Sequence, residues 1–128
     1  MRKFNQETSV AALELHQLVV DYWREVDFNE GNNGQDFFME NCVVALGGTS
    51  YEGYEGLKRF FSLRHELARK EKDGIRTTRH CPQNLQINIH TQHQATINFL
   101  VVAYAGGGNP PVANHLAPSL ISDACFEC

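Results

Sequence analysis

The feature that most constrains the fold of this chain is a change in the period of its apolar side chains. Before residue 72 the longest apolar patterns recur every three or four positions, as on one face of a helix. Two later runs, residues 85–89 and 95–99, instead alternate apolar and polar side chains, and the second continues as an apolar run to residue 103, which indicates burial on both faces. A period of two indicates strands with one buried face. We therefore predict an antiparallel hairpin with its turn near residues 91–94.

Two segments upstream of this hairpin have the periodicity of amphipathic helices. In residues 8–26 the apolar side chains form one stripe, and Thr8 or Ser9 fits the N-cap position. The second helix is predicted over residues 57–68, and Gly74 fits a C-cap. The basic residues from Arg64 to Lys72 are interrupted by Glu66 and Glu71, so we interpret this segment as a solvated helix face.

Shorter segments complete the prediction of the fold. We expect a short helix at residues 35–40, a brief strand at 42–46 and a long strand from about Leu116 to Cys128. Helices followed by long antiparallel strands are typical of an α+β protein. We expect one domain over residues 1–128, in which a curved antiparallel sheet wraps around the N-terminal helices and encloses a pocket.

The charge balance excludes two classes of partner. The 128 residues carry 11 Lys and Arg against 15 Asp and Glu, which gives a net charge of −4. Nucleic acids and anionic membrane surfaces require an excess of basic residues, so neither is expected to bind. No apolar run reaches the roughly 18 residues of a membrane span, and residues 1–7 do not resemble a signal peptide. We expect a cytoplasmic protein.

The cysteines and histidines do not form a recognisable metal site. Cys125 and Cys128 match the spacing C-x-x-C, but they lie in an extended stretch where residues three apart point to opposite faces. Five histidines have positions typical of surface residues: His16, His65, His90, His93 and His115. We therefore predict no metal and no cofactor.

Several motifs, in this order along the chain, resemble the SnoaL-like family. They are the run YWREVDFN at 22–29, YEG at 51–53, Leu57 followed by Phe60 and Phe61, and TTRH at 77–80. That family shares a cone-shaped α+β fold with nuclear transport factor two, ketosteroid isomerase and scytalone dehydratase. The resemblance implies this fold, and it also implies homodimers that associate through their sheets.

The resemblance also implies a catalytic pair. In scytalone dehydratase-like members, an aspartate after the first helix orients a histidine that acts as general acid and base, and Asp27 and His80 occupy the matching positions. A carboxylate fixes the imidazole tautomer and favours its protonated form, which suits proton transfer near neutral pH. The alternative is that Asp27 makes only local contacts and His80 is an ordinary residue at a strand edge.

Other positions of this chain depart from the dehydratase pattern. Where such members have water-holding tyrosines and a second histidine, this chain has Val26, Leu46, and Phe99 or Leu100. These side chains form no hydrogen bonds, which argues against scytalone itself as the substrate. For ketosteroid isomerase chemistry, Asp123 could supply a protonated acid, although an outward-facing strand carboxylate fits the same position.

We therefore predict a largely apolar pocket for a small hydrophobic molecule. The function favoured is a cofactor-free dehydratase (a lyase) or an isomerase acting on an aromatic or polyketide-like substrate, with His80 and Asp27 as the catalytic pair. The alternatives are a non-catalytic binding or assembly module and the small structural subunit of an aromatic-ring dioxygenase. The predicted substrate-binding residues are Tyr22, Trp23, Val26, Leu46, Tyr54, Phe60, Phe61, Phe99 and Val101.

Overall fold

A computed structural model describes residues 4–113 and 117–128. Within these ranges, two helices alternate with a short hairpin and are followed by three long strands. None of the described helices combines the length and the apolar composition that a membrane span requires. The elements are α1 (Gln6–Phe28), β1 (Val43–Leu46), β2 (Thr49–Glu52), α2 (Gly53–Arg69), β3 (Arg76–Thr91), β4 (Gln94–Gly107) and β5 (Leu120–Glu127), with 3-10 turns at Gly34–Phe37 and Lys72–Gly74.

Helix α1 begins two residues earlier than the apolar pattern predicts, because its N-cap is Asn5. The Asn5 side-chain oxygen accepts a hydrogen bond from the Thr8 backbone N–H at 2.8 Å, and the Thr8 hydroxyl accepts one from the Asn5 backbone N–H at 2.9 Å. This reciprocal arrangement satisfies two donors at the helix start. Thr8 is therefore the third residue of the first turn and not the cap. The buried side of the helix carries Val19, Tyr22 and Val26.

Strands β3, β4 and β5 form an antiparallel sheet with β4 in the centre. The predicted turn is confirmed, since the last paired residues are Thr91 and Gln94. However, β3 starts at Arg76, well before the alternation that predicted it. Pro82 conceals this extension in the sequence, but β3 is an edge strand, where proline is tolerated. The register shifts close to Asn84, whose φ of 54° marks a bulge.

The β1–β2 hairpin precedes α2 directly. Strand β2 was not predicted, because its sequence is rich in turn residues. Helix α2 starts at Gly53, four residues before the predicted start at Leu57. The short helix predicted at 35–40 is a 3-10 turn at Gly34–Phe37. The predicted start of the last strand at Leu116, like His115, lies outside the described residues.

The core contains two clusters that meet between the helices and the sheet. One joins α1 to β4, and the other joins α1 to α2. Trp23 and Phe126 pack against both clusters and so connect them. The predicted α+β class, with a sheet packed on N-terminal helices, is confirmed. Cluster members are Val19, Ile97, Phe99 and Val101 in the first, and Tyr22, Val26, Leu57 and Phe61 in the second.

Candidate functional site

The C-terminal end of α1 and the middle of β3 bring Asp27 and His80 into contact. The ring nitrogen Nδ1 of His80 lies 2.6 Å from Asp27 Oδ1, and the His80 backbone N–H donates to Asp27 Oδ2, also at 2.6 Å. Both side chains are buried, with exposed fractions of 9% for His80 and 4% for Asp27. The carboxylate therefore fixes both the backbone and the ring of the histidine.

Two further polar side chains extend this network. Thr78 lies on the same face of β3 as His80, and its hydroxyl donates to Asp27 Oδ1 at 2.8 Å. Arg64 of α2 donates from Nη2 to the Thr78 hydroxyl oxygen at 3.2 Å. A chain of hydrogen bonds thus runs from the Arg64 guanidinium through Thr78 to the carboxylate. Each member orients the next in a largely buried environment.

The indole of Trp23 holds the His80 ring from one side. The two rings are stacked, with centroids 4.2 Å apart and planes 17° from parallel. Trp23 precedes Asp27 by one helical turn, so the same face of α1 supplies both the stacking surface and the carboxylate. The imidazole is consequently restrained in its plane by Asp27 and out of its plane by Trp23.

These contacts determine which ring nitrogen of His80 is available for chemistry. An ionised carboxylate only accepts hydrogen bonds, so Nδ1 of His80 carries the proton that lies between it and Asp27. The lone pair of the neutral ring is then on Nε2. No described residue forms a hydrogen bond with Nε2. The arrangement can remove a proton from a bound molecule and return it.

His80 and Asp27 line a cavity of about 210 Å³ between α1, α2 and the sheet. Its walls combine apolar side chains with both signs of charge. Burial lowers the pKa of Arg64, and the attraction of Asp27 opposes that shift. Besides the pair, the lining residues are Val26, Glu30, Arg64, His65, Leu67, Ala68, Arg76, Thr78, Ala103, Tyr104, Ala105, Ser119 and Leu120.

The sequence matches the profile of the SnoaL-like domain over residues 7–118, which is most of the chain. The protein belongs to the SnoaL-like family. No curated protein matches the sequence. The resemblance predicted from the motifs around Asp27 and His80 is thereby confirmed.

Solved structures show the same fold at low sequence identity. One from Catenulispora acidiphila, in complex with S-DNPA, has a TM-score of 0.72 and 15% identity, over 93% of this chain and 81% of that chain. A structure assigned as a scytalone dehydratase from Novosphingobium aromaticivorans has a TM-score of 0.65 and 17% identity, over 82% and 67%. The β subunit of benzoate 1,2-dioxygenase from Burkholderia mallei has a TM-score of 0.61 and 10% identity, over 99% and 78%.

Four of the nine residues predicted to bind substrate lie in the core of this SnoaL-like domain and do not line the cavity. Val26 lines the cavity, whereas Tyr22, Phe61, Phe99 and Val101 are buried in the two core clusters. Their periodicity identified the inner faces of α1, α2 and β4 correctly. It did not distinguish side chains that fill the core from those that border a cavity.

The remaining predicted binding residues lie away from the cavity of the SnoaL-like domain. Leu46 is 55% exposed in the β1–β2 hairpin. Tyr54 donates its hydroxyl to the Phe38 carbonyl at 3.4 Å, and the Phe60 ring packs against Tyr51. Trp23 contacts the site only through its stacking on His80.

The cavity of this SnoaL-like domain is more polar than the predicted one. Sequence analysis missed Arg64, Arg76 and Thr78, and it placed His65 on the surface, although His65 lines the cavity. One signal was present: Arg64 follows Phe61 by three positions, which puts it on the apolar face of α2. It is consequently not part of a solvated face.

One other candidate acid, Asp123, does not contribute to the site. Asp123 is exposed on β5, opposite Leu100 in the sheet, and does not line the cavity. The described residues contain no cluster of three His, Cys, Asp or Glu side chains that could hold a metal ion.

Proposed function

We propose that this protein is an enzyme that transfers a proton on a small organic molecule without a cofactor, as a lyase or an isomerase. The observation that supports the proposal is the restraint of His80. Its Nδ1 and its backbone N–H contact the two oxygens of Asp27, its ring stacks on Trp23, and its side chain borders a cavity. General bases require this orientation, because proton transfer depends on a fixed hydrogen-bonding distance.

In the proposed reaction, His80 Nε2 takes a proton from a carbon next to a carbonyl group. Asp27 stabilises the imidazolium that results, because its carboxylate lies beside the protonated Nδ1. In a dehydratase, the imidazolium then gives the proton to the leaving hydroxyl group, and a carbon–carbon double bond and water form. In an isomerase, it returns the proton to a different carbon.

The size of the cavity favours a small substrate. Pockets for drug-sized ligands occupy roughly 300–1,000 Å³, whereas this cavity measures about 210 Å³. A molecule with one ring fits this volume better than a polycyclic one.

The test is deuterium exchange in D₂O, followed by proton NMR, with β-hydroxypropiophenone and phenylpyruvate as probes. We expect the wild-type protein to exchange the protons next to the carbonyl or to eliminate water. His80→Ala should lose at least about a hundredfold in rate, since general acid–base catalysis contributes about 10²–10⁴. Asp27→Asn should lose a comparable factor, because an amide can donate to Nδ1 and shift the ring proton to Nε2.

His90→Ala is the control, because His90 is an exposed histidine bonded to the Thr96 hydroxyl and lies outside the cavity. Its exchange rate should equal that of the wild type. Equal rates in the wild-type and His80→Ala proteins would contradict the proposal.

A second candidate function is a non-catalytic binding or assembly module of the same fold. The placement of three tyrosines supports it, because Tyr22, Tyr51 and Tyr54, unlike Tyr104, do not line the cavity and cannot hold a water molecule against a substrate carbonyl. One structural relative is the β subunit of a dioxygenase. This candidate predicts that small ligands stabilise the protein, but that neither probe exchanges protons faster than in buffer.

We further propose that two copies associate through the outer face of the sheet. Leu100, Val102 and Tyr104 occupy that face of β4, and Ile121 lies opposite Val102 on β5. The Ile121 side chain is 68% exposed and that of Tyr104 is 40% exposed. Apolar side chains that adjoin one another on a sheet are typical of an interaction surface.

A further inference from the structure

Arg64 is a basic residue on the apolar face of helix α2. It lies seven residues after Leu57 and three after Phe61, so it shares their face of α2 and points towards the core. Burial lowers the pKa of its guanidinium below the usual value. Taking a cation out of water costs free energy unless hydrogen bonds and an opposite charge compensate for it.

The contacts of Arg64 compensate for this cost only in part. Its hydrogen bond is the one from Nη2 to the Thr78 hydroxyl, and its Nε is buried without a hydrogen-bond partner among the described residues. A guanidinium has five N–H donors. Several donors of Arg64 thus remain for an acceptor that enters the cavity.

Direct contacts within the cavity leave Arg64 without a carboxylate partner among the described residues. Asp27 accepts hydrogen bonds from the neutral His80 ring and from Thr78, and Arg76 pairs with Glu71 at 2.9 Å. In the described part of the chain, no carboxylate lies within ion-pair distance of Arg64. Asp27 and Glu30 attract it only over longer distances.

Other buried nitrogens without hydrogen-bond partners lie near Arg64. Across the described residues, three buried side-chain nitrogens lack a hydrogen-bond partner: Trp23 Nε1, Arg64 Nε and His65 Nε2. Arg64 and His65 line the cavity, and Trp23 stacks on His80. Buried polar nitrogens without partners are rare in proteins, and two of these three, on Arg64 and His65, belong to residues that line the cavity, which indicates a polar ligand with acceptor oxygens for Arg64.

We infer that the cavity binds a small carboxylic acid with at most one ring, and that Arg64 binds its carboxylate. Planar guanidinium and carboxylate groups match each other in geometry and form charge-assisted hydrogen bonds. Arg64 is connected to His80 through Thr78 and Asp27, so a carboxylate at Arg64 lies in the same cavity as the catalytic nitrogen. The binding of the acid is argued from Arg64 alone, and only its role as the substrate rests on the proposed function.

The experiment compares benzoate with benzamide, which has the same shape and no charge, by isothermal titration calorimetry. We expect the wild-type protein to bind benzoate at least about tenfold more tightly than benzamide, as charge-assisted hydrogen bonds imply. Arg64→Gln should lower the affinity for benzoate at least about tenfold, to that for benzamide. Arg64→Lys keeps the charge and should retain part of the preference.

Arg59→Gln is the matched control, because Arg59 is an exposed arginine of the same helix and does not line the cavity. Its affinity for benzoate should stay within about twofold of the wild-type value. Equal affinities of the wild-type protein for benzoate and benzamide would overturn the inference, and this comparison requires no variant to fold. Undiminished benzoate binding by folded Arg64→Gln, checked by circular dichroism, would overturn it as well.

The outcome is independent of the deuterium-exchange test. A preference for benzoate without proton exchange supports the carboxylate site and contradicts the proposed catalysis. Exchange that depends on His80, without a preference for benzoate, supports the catalysis and overturns the carboxylate site.

Discussion

At the scale of single residues, Asp27 organises the site. Its Oδ1 is shared by the Thr78 hydroxyl and the His80 ring, and its Oδ2 accepts the His80 backbone N–H. An asparagine has nearly the same shape but only one accepting oxygen, so it cannot satisfy the same three donors. A carboxylate is therefore required at this position for the network to close.

The buried phenol of Tyr22 leads to a prediction about alkaline stability. Burial raises the pKa of Tyr22 from its ordinary value of 10.0 to about 12, against a smaller opposing effect of Arg64. The folded protein thus holds this proton more tightly than the unfolded chain does. The resulting stability is complete below about pH 10 and is lost as the pH rises towards about 12.

The loss should amount to about 2–3 kcal/mol in the free energy of unfolding. Urea denaturation between about pH 9 and 12 measures it, with Tyr22→Phe as the comparison. The variant should lose less stability across this interval, because it has no phenol to ionise. Parallel curves for the two proteins would contradict the assignment of the effect to Tyr22.

At the scale of elements, the loop after α1 is fitted closely to α2. The Phe61 ring lies against Gly31 and Gly34, and a Cβ atom added to Gly34 would be 2.7 Å from Phe61 Cε2. Such a separation is shorter than van der Waals contact. The two glycines thus allow the Phe61 ring of α2 to approach the backbone of the loop that follows α1.

We predict that Gly34→Ala destabilises the protein by about 1–3 kcal/mol through overpacking. The sign of this change in the free energy of unfolding is informative. Because φ of Gly34 is not positive, alanine would stabilise the protein slightly if the Phe61 ring were not in the way. Urea denaturation gives the change in free energy. Adding Phe61→Leu to Gly34→Ala should reduce the penalty of the glycine substitution, and a simple sum of the two single effects would show that the ring is not the cause.

At the scale of the whole molecule, the proposed association of two copies through the outer face of the sheet can be tested directly. We expect a dimer in solution, measured by size-exclusion chromatography with light scattering. Ile121→Asp should convert it to a monomer, because the carboxylate would be desolvated in an apolar interface. Leu13→Asp is the control, because Leu13 is 72% exposed on α1 and lies outside the sheet, and it should leave the dimer intact. A wild-type monomer at about 100 μM would contradict the proposed association.

The sequence was sufficient for those parts of the fold that local patterns encode. The stripe in residues 8–26 identified α1, and the alternation around Ile87 and Ile97 identified the β3–β4 hairpin. It was insufficient for the first half of β3 and for β2. Pro82 and the turn-rich residues 51–53 locally disfavour strand structure. Pairing with a neighbouring strand outweighs these local preferences.

The candidate site divides in a similar way. The motifs around Asp27 and His80 identified the family and suggested the pair, but their contact joins residues 53 positions apart in the chain. Local periodicity indicates which side chains face inwards, and it therefore located Tyr22, Phe99 and Val101 correctly as buried. Whether an inward side chain fills the core or borders a cavity depends on the packing of α2 against α1 and β3. That packing, which only the tertiary structure specifies, placed Arg64 and Thr78 beside Asp27 and made the cavity polar.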